Sequence, residues 1–293
     1  MFCFLPIAKS RKVFWLLGLI NKKTKIFKSI FVLYPANAKY LDHYCFSFMQ
    51  GALKWTPVLI GTLKQGNKWG LILGVTMTEE EFTKPDNRIY LDNTLKKIKN
   101  IASLFEINEI NMAGILPSYL AKIKDNPELE KTNNKAAKVT FQAIIKVLQS
   151  YDNNKEIPII LLGGMGSVGQ KVYSLLCRNN YLEIFIVDRK LQNNDFPSNL
   201  SGKIALLVDI SRKGTLEHYS RQFWNELIIL NETYPEPDSE SVRKLKETYN
   251  MSILHISGVE GSIYPSLPYA YSGSVPCCAI HDTSVITPIL KKL

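Results

Sequence analysis

The chain has 293 residues, of which 46% are hydrophobic and 21% are charged, and its formal net charge is +10. This balance excludes an intrinsically disordered or fibrous chain, and the length allows two globular domains. The charge is uneven, because residues 1–41 contain eight basic side chains and no acidic one. The basic character therefore belongs to the amino-terminal segment, and the remaining 252 residues carry only +2.

An apolar run over residues 14–20 lies in this segment, with Arg11 and Lys12 before it and Lys22 and Lys23 after it. The run is too short to cross a bilayer, and no clear small-residue cleavage site follows it. Three interpretations remain: a solvated basic edge, a surface for anionic lipid or an acidic protein, and an export signal. Nucleic acid is not an expected partner, because no recognition module accompanies the basic residues.

Strands and helices alternate in the first half, which predicts an α/β domain over residues 1–150. Two β-rich runs are separated by a segment containing Gly66-Asn67, which is typical of a β-hairpin turn. The expected strands are 31–34, 56–62, 69–78 and 109–116, and the expected helices are 92–105 and 136–148.

The alternation continues and predicts a doubly wound, parallel Rossmann sheet over residues 151–293. An irregular loop is expected at 257–276, and a closing helix, interrupted at Pro288, at 275–290. The expected strands are 157–162, 182–187, 203–210, 226–230 and 252–256, with a helix at 238–249. A ligand is expected in a cleft between two domains, at the carboxyl ends of the Rossmann strands.

A glycine motif, Gly164-x-Gly166-x-x-Gly169, follows the strand at 157–162 and opens a helical pattern leading to the strand at 182–187. This is the βαβ fingerprint of dinucleotide binding in its required context. Gly164 is expected to permit the tight turn, Gly166 to let N–H groups approach the pyrophosphate, and Gly169 to bring the helix close. The residues expected to bind the cofactor are Gly164, Met165, Gly166, Ser167, Val168, Gly169, Asp188, Arg189, Asp209 and Ser211.

Asp188 stands 19 residues beyond Gly169, at the end of the second strand. Its carboxylate is expected to accept hydrogen bonds from ribose hydroxyls, which favours NAD, whereas Arg189 could pair with a 2′-phosphate, which favours NADP. The expected cofactor is therefore NAD or NADP. Asp209, Ser211 and Asn231 follow later strands, where they could contact cofactor or substrate, or serve only as caps and solvated loop residues.

The cysteines show neither a Cys-x-x-Cys nor a Cys/His ligand pattern, so no metal site is expected. We expect free thiols in a reducing cytoplasm. Cys277 at a helix start would be a nucleophile, with His281 one helical turn beyond it; the alternative is a buried apolar thiol. The five cysteines are Cys3, Cys45, Cys177, Cys277 and Cys278. The other histidines, His43, His218 and His255, are expected to be isolated side chains.

The order of these features resembles the long-chain acyl-acyl-carrier-protein reductases and, more distantly, shikimate dehydrogenases and glutamyl-tRNA reductases. The resemblance rests on residues 113–118 (Ala-Gly-Ile-Leu-Pro-Ser), the glycine fingerprint and residues 276–279 (Pro-Cys-Cys-Ala). It implies that Cys277 attacks an acyl thioester, that NADPH reduces the acyl-enzyme to an aldehyde, and that Arg189 reads NADP. The chain departs from the family at residues 136–138 (Ala-Ala-Lys for Thr-Gly-Asn) and at 280–281 (Ile-His in place of an acid).

Three functions are consistent with these observations. The first is an NAD(P)-dependent oxidoreductase that reduces an acyl thioester through Cys277. The second is a non-covalent dehydrogenase of a small carbonyl, hydroxyl or imine substrate, and the third is a dinucleotide-binding protein without catalysis. The expected partners are the small-molecule or acyl-thioester substrate, an acidic carrier protein, a membrane surface contacted by the basic segment, and a second copy of the chain.

Overall fold

The computed structural model describes residues 10–124, 131–152, 155–192, 195–249, 251–281 and 285–293. The chain forms two compact units, each assembled from two separate stretches. The first unit comprises Met1–Thr132 and Gly261–Ser284, and the second comprises Asn133–Glu260 and Val285–Leu293. The domain boundary expected at residue 150 stays a prediction.

The first unit is built around a mixed sheet that has five strands in the described part of the chain, in the order β10-β2-β3-β1-β4. Its strands are β1 Phe27–Leu33, β2 Val58–Gln65, β3 Lys68–Gly74, β4 Glu109–Met112 and β10 Ser262–Tyr264. Its helices are α1 Arg11–Thr24, α2 Ala38–Tyr44, α3 Ser47–Leu53, α4 Glu79–Phe82, α5 Arg88–Phe105 and α6 Leu116–Lys124. β1 is parallel to both β3 and β4, whereas β2 is antiparallel to its neighbours β3 and β10.

The β2–β3 hairpin confirms the turn prediction. Gln65 pairs with Lys68, so Gly66 and Asn67 form the two-residue connection. Gly66 has φ +56°, a left-handed conformation that glycine adopts without steric cost.

Helix α1 holds the apolar run of the basic segment and packs against α5. A Cβ on Gly18 would lie 2.5 Å from the backbone oxygen of Leu104, so only glycine permits this close approach. Asn21 is buried at the same contact and donates from Nδ2 to the Phe105 carbonyl at 2.9 Å. That bond satisfies an acceptor at the end of α5, where intrahelical donors run out.

The second unit contains the sheet β6-β5-β7-β8-β9-β11, which has six strands in the described residues. Its strands are β5 Ile159–Leu162, β6 Ile184–Val187, β7 Ala205–Asp209, β8 Leu227–Asn231, β9 Ile253–Val259 and β11 Pro288–Lys292. Its helices are α8 Ser167–Arg178, α9 Thr215–Tyr219 and α10 Ser239–Tyr249, preceded by α7 Lys131–Leu148, whose first two residues belong to the first unit. β5 to β9 are parallel and β11 is antiparallel, which confirms the predicted α/β class and Rossmann-type sheet.

The direction of strand addition reverses at β5, because β6 lies on one side of it and β7 on the other. Right-handed crossovers then place α8 on one face of the sheet and α9 and α10 on the other. The β5 side chains divide accordingly, since Ile160 and Leu162 join the buried cluster that contains Leu216 of α9 and Leu245 of α10. The carboxyl end of β5 is therefore the topological switch point, where ligands of such sheets bind.

The predicted closing helix over 275–290 is wrong. The described part of that range contains a single 3-10 turn, Cys277–Ala279, and the start of strand β11. Pro276 and Pro288 lack the N–H groups that a continuous helix needs, whereas proline is tolerated as the first residue of an edge strand. The predicted loop at 257–276 is also wrong in part, since it holds the end of β9 and all of β10.

No helix in the described part of the chain is long and apolar enough to cross a membrane.

Candidate functional site

The glycine-rich turn between β5 and α8 is shaped by Gly163 as well as by the fingerprint glycines. Gly163 has φ +86°, and a Cβ there would lie 2.7 Å from Cα of Ser211. Gly164, which was expected to permit the tight turn, does not have a positive φ, and the left-handed residue of the turn is Gly163. A Cβ on Gly164 would lie 2.8 Å from Cγ2 of Ile186, so Gly164 permits close packing on β6.

The other two fingerprint glycines have different surroundings. A Cβ on Gly169 would lie 2.6 Å from the Gly163 oxygen, so Gly169 keeps α8 against the turn. Gly166 is the N-cap of α8 without a side-chain cap bond, and a Cβ there would meet only the Gly163 oxygen, at 3.2 Å. The start of α8 thus combines a helix N-terminus with a residue that has no side chain, which suits a phosphate approaching the backbone N–H groups.

Two polar residues of α7 and α8 surround the first residue of α8. Asn133 is 4% exposed and donates from Nδ2 to Oγ of Ser167 at 3.0 Å, and Lys171 donates to the same oxygen at 3.2 Å. Lys135, on the same helix as Asn133, is only 3% exposed. Asn133 and Lys135 were not predicted from the sequence, although Lys135 stands four residues before the buried Val139 and so shares its helical face.

Asp188 is bound to the glycine turn itself. Its Oδ2 accepts a hydrogen bond from the Met165 N–H and its Oδ1 one from the Lys190 N–H, both at 3.0 Å. Arg189 and Lys190 follow at the surface as exposed cations. The carboxylate that favours NAD and the cations that favour NADP therefore stand side by side at the end of β6.

A row of polar residues crosses the sheet beside this turn. Strand register aligns Leu162 with Asp209, Asp209 with Asn231, Asn231 with His255, and His255 with Lys291. Because cross-strand partners share a face, the four polar side chains form one row from β7 to β11. This row was not predicted from the sequence, since His255 was expected to be isolated and Lys291 lies outside every predicted strand.

The row is joined by hydrogen bonds. Asn231 donates from Nδ2 to Oδ2 of Asp209 at 2.9 Å and to Oγ1 of Thr233 at 2.9 Å. Its Oδ1 lies 2.8 Å from Nδ1 of His255, so the neutral imidazole carries its proton on Nδ1. Ser211 donates to Oδ1 of Asp209 from both its hydroxyl and its backbone N–H. Predicted residues Asp209, Ser211 and Asn231 thus lie together, next to Gly163.

Burial controls the protonation of the row. Desolvation raises the pKa of Asp209 to about 6, against the opposing effect of hydrogen bonds from Ser211 and Asn231. Desolvation also lowers the pKa of His255 to about 4, and the positive charge of Lys291 acts in the same direction. At neutral pH the row therefore holds an ionised Asp209 and an uncharged His255.

Cys277 and His281 belong to the first unit, whereas the fingerprint belongs to the second. Cys277 is half-buried on its 3-10 turn, and His281 is 1% exposed. Neither ring nitrogen of His281 has a hydrogen-bond partner among the described residues, and Nδ1 lies 3.9 Å from a carboxylate oxygen of Glu109. Because the 3-10 turn Cys277–Ala279 is followed by an extended Ile280, Cys277 and His281 do not share a helical face, and that expectation is wrong. The role of Cys277 as a nucleophile stays a prediction.

No group of three or more His, Cys, Asp or Glu side chains within the described ranges is placed to hold a metal ion.

No family model matches the chain, and no curated protein sequence matches it. Two solved structures are similar to it at low level. One is described as a malic enzyme (malate oxidoreductase), at 12% identity and a TM-score of 0.31, with 76% of this chain and 65% of that chain covered. The other is a D-2-hydroxyisocaproate dehydrogenase, at 10% identity and a TM-score of 0.26, with 76% of each chain covered. The chain thus spans slightly less than two thirds of the first structure, and the resemblance to acyl reductases finds no support in these comparisons.

Proposed function

We propose that the second unit binds a nicotinamide dinucleotide and that the protein is an NAD(P)-dependent oxidoreductase. The observation that carries this proposal is the glycine turn at the carboxyl end of β5, at the point where strand order reverses. Gly163 to Gly169 bring the N-terminus of α8 to this edge, with no side chain at its N-cap, Gly166. The nicotinamide, when bound, would supply a hydride acceptor or donor.

In this proposal, different residues around the turn bind different parts of the cofactor. The first turn of α8 would bind the pyrophosphate, and Asp188, with Arg189 beside it, would meet the adenosine ribose. Asp209 ends the neighbouring strand and holds Ser211, and Ser211 would face the rest of the cofactor. The buried row from Asp209 through Asn231 to His255 would hold the half-buried Ser211 in place, and Ser211 would donate a hydrogen bond to a small carbonyl, hydroxyl or imine substrate.

The decisive experiment is binding of NAD⁺, NADH, NADP⁺ and NADPH by calorimetry to the full chain and to Gly166→Ala. A Cβ at Gly166 would lie 3.2 Å from the Gly163 oxygen, a tight contact that a shift of a few tenths of an ångström would relieve, so the variant should fold with a small loss of stability. It should still weaken dinucleotide binding by about tenfold or more, or about 1.4 kcal/mol, because it occupies the space needed by a phosphate.

Gly51→Ala is the matched control, since a Cβ on Gly51 of α3 meets nothing within 4 Å. It should leave dinucleotide binding unchanged and raise stability by up to about 1 kcal/mol, because Ala is favoured over Gly inside a helix. Unaltered affinity in Gly166→Ala, or no binding of any of the four dinucleotides to the wild-type chain, would exclude the proposed site. Binding without turnover over a substrate panel would instead support a dinucleotide-binding protein without catalysis.

A second candidate is reduction of an acyl thioester through Cys277. The half-buried state of Cys277 favours it, because the thiol is held in the fold and yet keeps exposed surface. The Cys277 thiolate would attack the thioester carbonyl and expel the carrier thiol. Hydride transfer from NADH or NADPH to the acyl-enzyme would then release the aldehyde and regenerate the thiolate. Mass spectrometry should then detect an acyl adduct that is lost in Cys277→Ala and kept in Cys278→Ala, its neighbour on the same turn. Unchanged turnover in Cys277→Ala would exclude the covalent mechanism and favour the non-covalent dehydrogenase.

A further inference from the structure

Helix α1 presents two apolar faces, and within the described part of the chain one of them is buried and the other is exposed. Phe14, Gly18 and Asn21 are its buried residues, and they lie on the face that packs against α5. The helix has 14 residues and is therefore about 21 Å long. The large apolar side chains on its other face are exposed among the residues that the structure describes.

That second face carries four large apolar side chains at the surface. Trp15 and Leu16 are each 55% exposed, Leu19 is 39% exposed and Ile20 is 49% exposed. Their spacing puts them on one side of the helix, opposite Phe14 and Gly18. Single exposed apolar residues are common, but a contiguous group of this kind marks an interaction surface.

Basic residues stand at both ends of this face. Arg11 and Lys12 begin the helix, and Lys22 and Lys23 lie in its last turn, all four of them exposed. Lys12 and Lys23 are in helical phase with Leu16 and Leu19, so they lie at the two ends of the same apolar strip. Lys22 and the adjacent Lys25 form ion pairs with the carboxylate of Glu106, which follows α5.

We propose that this face of α1 docks the protein onto an anionic membrane surface. A ridge of Trp, Leu and Ile between two pairs of cations matches the interfacial helix, whose apolar side enters the headgroup region while its Lys and Arg meet lipid phosphates. A second copy of the chain fits less well, because pairing two such faces would bring their cations together. An acidic protein would satisfy the cations but leaves four large apolar side chains on a convex ridge unexplained.

The test is co-sedimentation of the full chain with vesicles of phosphatidylcholine alone and of phosphatidylcholine with one third phosphatidylglycerol. Binding to the mixed vesicles is expected, with a blue shift of Trp15 fluorescence. Leu16→Gln/Ile20→Gln and Lys12→Gln/Lys23→Gln should each weaken the partition coefficient by about tenfold or more, since both apolar burial and charge contribute.

Ile89→Gln/Tyr90→Gln is the matched control. These residues are 66% and 52% exposed on α5, about 22 Å along that helix from the contact with Gly18. The control should bind vesicles like the wild type, and circular dichroism should show equal helix content in all variants. Failure of the wild type to bind the mixed vesicles, or full binding by Leu16→Gln/Ile20→Gln, would overturn the proposal. The proposal would also be overturned if sedimentation velocity without vesicles showed a wild-type dimer that Leu16→Gln/Ile20→Gln abolishes.

Discussion

Asp209 and His255 should make opposing contributions to the pH dependence of stability. An ordinary aspartate has a pKa of 3.8, and burial raises that of Asp209 to about 6. Between these values the native state keeps a proton that the unfolded chain has lost, so this residue makes stability fall as pH rises. The full difference corresponds to about 3 kcal/mol.

His255 acts in the other direction over nearly the same interval. An ordinary histidine has a pKa of 6.5, and burial lowers that of His255 to about 4. Between pH 6.5 and 4 the unfolded chain takes up a proton that the native state does not, so stability falls as pH falls, again by about 3 kcal/mol. The two slopes therefore cancel in the wild type, and removal of either residue should reveal the other.

Urea denaturation of Asp209→Asn, His255→Gln and the double variant between pH 4 and 7 would measure this cancellation. The free energy of unfolding of Asp209→Asn, relative to wild type, should rise by up to about 3 kcal/mol from pH 4 to 6.5. That of His255→Gln should fall by a similar amount, and the double variant should run parallel to wild type.

Trp224 offers a probe of the second unit, because it is 8% exposed and donates from Nε1 to the Lys203 carbonyl at 2.7 Å. Replacing the other three of the four tryptophans, Trp15, Trp55 and Trp69, by Phe would isolate its signal. A constant offset between Asp209→Asn and wild type across this pH range would refute the assigned protonation states, as would a slope of the opposite sign.

Three further predictions concern the glycines and the cofactor. Gly169→Ala should destabilise the second unit by about 2 kcal/mol in urea denaturation, because its Cβ would lie 2.6 Å from the Gly163 oxygen, and an unchanged midpoint would contradict that packing. Gly18→Ala should lower stability by about 1–3 kcal/mol through the 2.5 Å approach to the Leu104 carbonyl, unless α1 shifts away from α5, which proteolysis of α1 would detect. Asp188→Asn should raise the ratio of NADP to NAD affinity in calorimetric titrations by about tenfold, because it removes a negative charge that repels the 2′-phosphate. Arg189→Gln should lower that ratio by about tenfold, because it removes a positive charge that attracts the 2′-phosphate. Equal ratios in both variants would exclude Asp188 and Arg189 as the residues that read the ribose.

Short-range features of the chain were predictable from its sequence. The glycine spacing before α8, the apolar runs of β5 to β9 and the Gly66-Asn67 turn all depend on neighbours within a few residues, where backbone preference and side-chain periodicity act directly. The α/β class and the Rossmann-type sheet follow from the same alternation. The position of Asp188 at a strand end could likewise be deduced from spacing alone.

The rest depended on contacts between residues far apart in the chain. His255 and Lys291 join Asp209 and Asn231 only through the register of four strands, and register is set by pairing across the sheet, not by the local sequence. Strand β11 forms because an edge of β9 is available to it, which a segment that begins with a proline does not disclose. The left-handed Gly163, pressed against Ser211, and the bare second face of α1 are likewise properties of packing. The sequence by itself determined which elements the chain forms around its glycine motif, and the tertiary structure decided which side chains meet there, because only cross-strand and helix-to-helix contacts place them at hydrogen-bonding distance.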